Sequence, residues 1–457
     1  MFVNRHDELR ALRAWWERPG AALGLVWGRR RVGKTSLLEE FAQDKRAIFH
    51  TGAGRPEADE LRLLSEAAVG VANLGARDLG ARPFANWDDA LDSLAGAATR
   101  ERLLLVVDEF PDLVKASPEL PGVLRAFWDR ARSTTKLRIL LCGSAVRTME
   151  AIQEERAPLY GRFDLALLLH PFRPHEAAQM LAGLAPSERA LVWGIVGGVP
   201  LYLDWWDTGH SVKQNLLRLA CTPGGRLLDE GRLVLATEGD VGDLAGLVLR
   251  AIASGRTRHN EIEQAVRAEP ARVLERLIDL RLVERLAPVT ENPARTRRRV
   301  YRIADNFLAF WLGLLDRHRS AISRGLGERI LPVLSRQLDD HMGERWESAF
   351  RQHLLRLAAA GELGAEVVDI GRWWQDSPPV EIDAVALAGR SREAVLIGEA
   401  KWARRANGAT LRAALEAKAE ALPKLGANPT YAVCARDEVT HPDNVLAIAA
   451  EDIFGLD

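Results

Sequence analysis

Several short stretches of this chain hold residue types that act on phosphate. The first is GRRRVGKTS, residues 28 to 36. Gly28, Gly33, Lys34 and Thr35 fit the pattern G-x-x-x-x-G-K-[ST]. Glycines let the main chain curl so that successive N–H groups point at phosphate oxygens. The lysine then reaches the β- and γ-phosphates, and the Thr35 hydroxyl holds Mg²⁺. Arg29, Arg30, Arg31, Val32 and Ser36 complete the expected ATP cradle. The second stretch, LLLVVDEF, ends in Asp108 and Glu109. Asp108 is suited to hold Mg²⁺, and Glu109 to polarise an attacking water. A third, LRILLCGSAVRTM, carries Ser144, a polar residue able to sense the γ-phosphate or simply a small residue at a corner. PLYGRF offers Arg162 as an arginine finger in its own or a neighbouring subunit, or as a plain surface arginine. Far along the chain, VLIGEAKW sets Glu399 and Lys401 two positions apart beside an apolar run.

These residues need elements to hold them. LGLVW before the first glycine reads as a buried strand, and TSLLEEFA after Lys34 as a helix whose positive N-terminal end faces the same anion. The apolar runs before Asp108 and Ser144 read as parallel strands, whose carboxyl ends form the ligand-binding edge of an open α/β sheet. Near the C-terminus, a helix containing Glu344 and Glu347 precedes three strands. These are GAEVVDIGRWW, then PPVEIDAVALAGR and SREAVLIGEAKW joined by a turn near Gly389. A helix, RRANGATLRAALEAKAEAL, and a strand, PTYAVCA, follow. Side chains alternate along a strand. Glu381 and Asp383 are therefore expected on one face, with Ile382 and Ala384 on the other. Pairing about residue 390 sets 381 opposite 399 and 383 opposite about 397, so that Asp383 and Glu399 are diagonal neighbours. Two carboxylates on one buried face repel unless a cation lies between them, and Mg²⁺ binds through a few carboxylates while keeping waters. Lys401 would orient a metal-bound water or stabilise charge on a phosphate.

Composition narrows the class. The 457 residues are 47% hydrophobic and 27% charged, with a net charge of -1. That balance suits a globular protein of several domains and argues against a wholesale electrostatic binder of nucleic acid. The cysteines, Cys142, Cys221 and Cys434, are odd in number and far apart, giving neither a disulfide framework nor metal spacing, so the cytoplasm is the expected compartment. No apolar run approaches the ~20 residues that span a bilayer, and no membrane partner is expected.

Between about residues 240 and 303 the pattern gives three short helices and a β-hairpin, the plan of a winged helix. VGDLAGLVLRAIASG stops at Gly255, HNEIEQAV is short, and the third helix begins at Pro270. Arg295, Arg297, Arg298 and Arg299 fall at the hairpin tip. They suit DNA phosphates, but the third helix mixes Glu275 and Asp279 with Arg272 and Arg276, which suits a protein contact as well. Phe307, Phe310 and Trp311 beyond the hairpin have helical spacing and read as core.

Together, GRRRVGKTS, LLLVVDEF, LLCGSAVRTM, PLYGR and GGVPLYL resemble the archaeal-type ATPases, a branch of the STAND class of AAA+ P-loop proteins. The resemblance implies that Asn4 and Arg5 of FVNRHDELRAL lie near the adenine, and that Pro200 of GGVP packs near the nucleotide from a helical lid. EIDAVAL and GEAKW resemble the PD-(D/E)xK nuclease fold, with Asp383 as first acid, Glu399 and Lys401 as the ExK element, and Glu347 as the acid on the preceding helix. Ile382 stands where proline is common in that pattern.

The expected fold is α/β: a P-loop core over residues 1–170, a helical lid over 171–236, a winged helix over 237–320 and a nuclease-like α/β domain over 321–457. The expected function is Mg²⁺-dependent ATP hydrolysis controlling a metal-dependent domain that acts on nucleic acid, with Glu347, Asp383 and Glu399 as its metal ligands. The alternative is a signalling switch in which ATP drives assembly of a homo-oligomer or capture of a protein partner, and the terminal domain does not cut.

Overall fold

A computed structural model describes residues 2–456 apart from 73, 75–76, 239–241 and 365. The chain divides into two compact units, Met1–His170 and Pro171–Asp457.

The first unit is built on parallel strands: β1 (Ala22–Trp27), β2 (Ala47–Thr51), β3 (Leu103–Asp108), β4 (Leu137–Gly143) and β5 (Leu165–Leu168). Their spatial order is β2-β3-β4-β1-β5. β1, β3 and β4 are buried along their whole length. This is why they read as unbroken apolar runs, since helices cover both faces of such a sheet. Leu25, Leu105 and Ile139 pack on one side with Trp87, Leu94 and Phe127. Val26, Val106 and Leu140 pack on the other with Leu12, Leu38 and Phe41. The order has a chemical consequence. β4 lies between β1 and β3, so Ser144, which follows β4, stands between the glycine loop and the two acids.

The second unit begins with helices. Pro174–Met180, Pro186–Val196 and Pro200–Asp204 each carry proline in the first turn, where a missing N–H costs nothing. The helices Asp243–Ala253, His259–Val266 and Ala271–Asp279 follow, then the antiparallel hairpin β6 (Val283–Leu286) and β7 (Val300–Ile303). The sequence pattern starts the first of these helices at Val241, which lies outside the described residues. Phe307, Phe310 and Trp311 are buried. A Cβ on Gly231 would meet the Trp311 ring at 2.1 Å, so only glycine admits the indole there.

The helix bearing Glu344 and Glu347 is longer than its sequence pattern suggests, running from Gly327 to Ala359 through Pro332. It packs on a mixed sheet of β8 (Val367–Asp376), β9 (Pro379–Ala388), β10 (Glu393–Lys401), β12 (Leu425–Ala435) and β14 (Leu446–Ile448), in the order β14-β12-β10-β9-β8. The short strands β11 (Arg405–Asn407) and β13 (Glu438–Thr440) pair separately. β11 corrects the reading of residues 404 onward as helix. The helix starts only at Gly408, where the Asn407 side chain accepts a hydrogen bond from the Thr410 N–H. One buried core runs from Phe172 to Phe454, through all the segments read as lid, hairpin module and terminal domain. Among the described residues, no helix is long and apolar enough to cross a membrane.

Candidate functional site

At the carboxyl edge of the first sheet, the loop 28–33 joins β1 to the helix Lys34–Ala42. Gly28 has φ 156°, and a Cβ there would fall 2.4 Å from the Leu169 carbonyl oxygen. Gly33 has φ 87°. Both positions demand glycine. Lys34 is buried, and its Nζ donates to the carbonyls of Gly28 (2.9 Å) and Arg29 (3.0 Å). Thr35 Oγ1 donates to Asp108 Oδ2 at 2.8 Å, while Asp108 Oδ1 accepts from the Glu109 N–H at 2.9 Å. Glu109 has φ 48°, a left-handed backbone that is costly for a residue with a Cβ. Its carboxylate is held from β4: Oε2 accepts from Ser144 Oγ (2.9 Å) and Ser144 N (3.2 Å). Arg30 Nε also approaches Ser144 Oγ, at 3.4 Å. The structure thus brings Lys34, Thr35, Asp108, Glu109 and Ser144 together.

Arg5 is buried beneath this loop. Its guanidinium donates to the carbonyls of Val32 (2.9 Å) and His170 (2.7 Å) and pairs with Glu8. It therefore braces the glycine loop from below. Asn4 and Arg5 both have left-handed φ, 63° and 64°. Arg162 is not an unengaged finger. Both its Nε and Nη2 bind the Asp129 carboxylate (3.0 and 2.8 Å), and Nη1 binds two carbonyls nearby. Pro200 opens a short helix of the second unit. Gly198, two residues before it, is required, because a Cβ would lie 1.8 Å from the Phe172 carbonyl oxygen.

The fit of this edge to ATP and Mg²⁺ rests on its donors. The loop is narrowed to glycine where side chains would fill it, a lysine is curled among carbonyls, and the Thr35 hydroxyl and Asp108 carboxylate supply hard oxygen ligands side by side.

The second constellation lies in the C-terminal sheet. Two register details differ from the sequence reading. β10 carries an extra residue between Ala394 and Leu396, which moves the pairing to Ala384↔Gly398. Continued by one residue, that register sets Asp383 directly opposite Glu399 rather than diagonal to it. β9 in turn carries an extra residue between Ile382 and Val385, where β8 advances only from Gly371 to Trp373. Such a bulge breaks alternation and re-aims a side chain. Ile382 consequently joins Val385 in the core against Leu415, while Ala384 joins the core against Phe350, so Ile382 and Ala384 do not share a face.

Asp383 and Glu399 are both buried. Asp383 Oδ2 accepts from the Ala400 N–H at 2.9 Å. Burial, then the neighbouring Glu399, push the Asp383 carboxyl above its usual range. Burial acts on Glu399 in the same sense, but two ammonium groups outweigh it and hold that carboxyl low. These are Lys401 (Nζ to Oε1, 2.6 Å) and Lys418 (Nζ to Oε2, 2.6 Å). Glu347 faces the cluster from the long helix, beside Arg351 at 3.6 Å, with its carboxyl raised to about 7 by burial and by Asp383. Arg351 also donates to the Asp383 carbonyl at 2.6 Å. Among the described residues no three His, Cys, Asp or Glu side chains stand close enough to hold a metal ion, so Asp383 and Glu399 form a pair rather than a triad with Glu347. A pair suffices for Mg²⁺, which takes one or two carboxylates and keeps waters.

Lys418 is a member of the cluster that the motif spacing does not pick out. Its signal is nonetheless present: Leu411, Leu415, Lys418 and Leu422 recur at helical spacing, so a lysine interrupts the apolar stripe that the helix presents to β10 and β12. The hairpin tip also differs from a free basic wing. Arg298 pairs with Glu291 and donates to the Trp374 carbonyl at 2.9 Å, and Val289 N–H donates to the Arg372 carbonyl at 3.0 Å. The hairpin loop therefore covers the open edge of β8. Arg295 and Arg297 remain exposed.

A parallel α/β sheet with a glycine-rich phosphate loop after β1 and paired acids after β3 defines a P-loop ATPase. Comparison with known proteins gives the family. Residues 2–204 match the model of an ATPase domain predominantly from Archaea, and the N-terminal part of this chain is an ATPase domain of that archaeal type. Residues 311–413 match a second model, described as archaeal and bacterial proteins of unknown function. An uncharacterized protein of Methanocaldococcus jannaschii is 25% identical over 413 residues, 88% of each chain. An uncharacterized ATP-binding protein of the same archaeon is 48% identical over 46 residues, 10% of this chain and 78% of that one. Among solved structures, the Walker-type ATPase of Pyrococcus abyssi superposes with a TM-score of 0.53 at 20% identity, over 68% of this chain and 96% of that chain.

Proposed function

We propose that the chain hydrolyses ATP in a Mg²⁺-dependent reaction, and that its nucleotide state controls a winged-helix module and a C-terminal metal-dependent nuclease-like module that acts on nucleic acid. The observation that carries the first half is the convergence of Thr35, Asp108, Glu109 and Ser144 at one sheet edge. Lys34 would bind the β- and γ-phosphates, and Thr35 with Asp108 would hold Mg²⁺, which neutralises charge on the phosphate oxygens. Glu109 would take the proton of the attacking water. Ser144 holds that carboxylate on β4, so the general base cannot reach a water until its hydroxyl partner turns toward the phosphate. Arg162 would have to leave Asp129 to reach phosphate from its own or a neighbouring subunit.

The second half rests on Asp383 and Glu399, facing acids on a buried sheet face whose mutual repulsion a divalent cation would relieve. Lys401 and Lys418 would meet negative charge on a phosphodiester once Glu399 turned to the metal. The helices Asp243–Ala253 to Ala271–Asp279 with the hairpin after them support the winged-helix reading. The test is cleavage of single- and double-stranded DNA and RNA with Mg²⁺ or Mn²⁺, with and without ATP. We expect cleavage that both Lys401→Ala and Asp383→Ala abolish. Protein that hydrolyses ATP and cuts nothing under any condition would overturn the nuclease reading.

A specific feature favours the second reading, a switch whose terminal module binds a protein partner or a second copy of the chain. Glu399 is already satisfied by two lysines, and the hairpin arginine Arg298 is engaged within its own unit. ATP-dependent assembly without strand scission would support it.

A further inference from the structure

The opposite edge of the ATPase sheet holds a second concentration of charge. Gly20, Arg46, Arg102 and Lys136 each lie just before a strand, β1, β2, β3 and β4 in turn, and they line a cleft of about 690 Å³ with Arg18, Lys45, Arg100 and Arg138. Among the described residues, Asp44 and Glu101 lie on its walls; Asp44 pairs with Lys45, and Arg18 reaches Asp164 at 3.7 Å beside the cleft. In a chain whose net charge is -1, this is a pronounced local excess of cations.

Part of the cluster has a structural reason. Arg138 is fully buried and donates to the carbonyls of Trp16, Arg18 and Gly20, where the helix His6–Trp16 ends. A cation is favourable at a helix C-terminus. That role does not account for the others. Arg102 ion-pairs with Glu17 at 3.0 Å; burial and then Arg102 oppose the charge of Arg138, while Asp164 and Glu17 favour it. Arg46 donates to the carbonyls of Val71 (2.7 Å) and Ala97 (3.2 Å), and among the described residues its buried Nη2 has no hydrogen-bond partner. Lys136 donates to the Arg100 carbonyl, at 2.7 Å. Among the described residues, Arg46, Arg100, Lys136 and Arg138 pair with no carboxylate. Like charges held this close are costly unless an anion joins them.

We propose that this cleft is a second anion site that takes the phosphodiester backbone of a single nucleic-acid strand. The shape of the cluster selects a polymer over a lone phosphate. The residues that bear its cations, Arg46, Arg102 and Lys136, stand before adjacent strands β2, β3 and β4, whose backbones lie about 4.8 Å apart, so they follow a row along the sheet edge rather than a cage. A row of guanidinium and ammonium groups matches a strand with one charge per nucleotide. Because β1 to β4 run from this edge to the nucleotide loop, a strand bound here would press on the amino ends of the same strands whose carboxyl ends carry Lys34, Asp108 and Ser144.

The site is independent of Asp383 and Glu399, so its failure and that of the nuclease reading are separable. The experiment is fluorescence anisotropy of labelled single-stranded oligothymidine with the full chain across a salt series, using the double variant Arg100→Gln, Lys136→Gln. Both side chains are exposed and outside the nucleotide site, and ATP turnover without DNA reports the fold. We expect binding about tenfold weaker at low salt and a salt slope shallower by about 1.4, roughly 0.7 for each phosphate no longer neutralised. Unchanged affinity and slope, or no binding by the parent protein, would overturn the proposal. Displacement of the strand by free tripolyphosphate at equal phosphate concentration would overturn its polymer part and leave a small polyphosphate as the ligand. Unaltered binding by Lys401→Ala is expected in either case.

Discussion

The acidic pairs Asp108–Glu109 and Asp383–Glu399 both stand on sheets, but they satisfy their carboxylates differently. Asp108 and Glu109 accept hydrogen bonds from neutral groups: the Thr35 and Ser144 hydroxyls and two main-chain N–H groups. Such bonds are satisfied without cancelling charge, so the site keeps its negative potential for a metal and an attacking water. Glu399 instead accepts from two ammonium groups, and Asp383 opposite it is left to rise in pKa. The first site is arranged to be completed by a ligand. The second is already neutralised internally and must break ion pairs before it binds one.

The largest effect expected from this contrast lies in the first site. Lys34→Ala should lower ATP turnover by about a hundredfold or more, because a preorganised charge at a transferring phosphoryl group is removed. Undiminished phosphate release would break the assignment of the loop. Next in size, Glu109→Gln should preserve nucleotide affinity and slow turnover by about a hundredfold, while Ser144→Ala should change kcat by about tenfold with little change in KM. Equal loss of affinity in Glu109→Gln would remove it from the base role.

In the second site the corresponding test concerns stability. Lys418→Ala leaves the buried Glu399 with one ammonium partner and should cost about 1–2 kcal/mol, less than a fully buried pair because Lys418 is partly open to solvent. Adding Glu399→Gln should recover part of the melting temperature. If Lys418→Ala is neutral, the second site is no more self-contained than the first, and the comparison loses its basis.

The two sites also differ in how far they are legible in the sequence. The phosphate loop and the Asp108–Glu109 pair are visible because each is contiguous, and because buried parallel strands announce themselves as apolar runs. The helices and hairpin of residues 243–303 are visible for the same reason: periodicity and local stops. Asp383, Glu399 and Lys401 stand out by spacing, but their geometry does not. Alternation assumes a regular ladder, and the bulges near Val395 and Asp383 each insert a residue that no local pattern declares. Lys418 and Arg351 reach the cluster from helices distant in sequence, and Ser144 holds Glu109 only because β4 is threaded between β1 and β3. Neighbours of this kind depend on strand order and register, which are tertiary facts.

The finest test uses pH. Glu347 is buried near Asp383 and titrates at about 7, against an ordinary 4.5. A carboxyl whose folded pKa is raised favours folding only while it is protonated in the native state. Its contribution is complete below pH 4.5 and is lost as pH rises through 7, because across that window the folded protein binds more protons than the unfolded one. With chelator present, stability should therefore fall by roughly 1–3 kcal/mol between about pH 5 and 8, the discount from the full shift reflecting its coupling to Arg351 and Asp383. Glu347→Gln carries no charge to bury. It should melt near the parent protein at about pH 5, above it at about pH 8, and with a shallower pH dependence between. Parallel curves for the two proteins would mean that Arg351 already compensates the charge of Glu347. The second site would then be neutral throughout, and its contrast with the first would be sharper than the raised carboxyl implies.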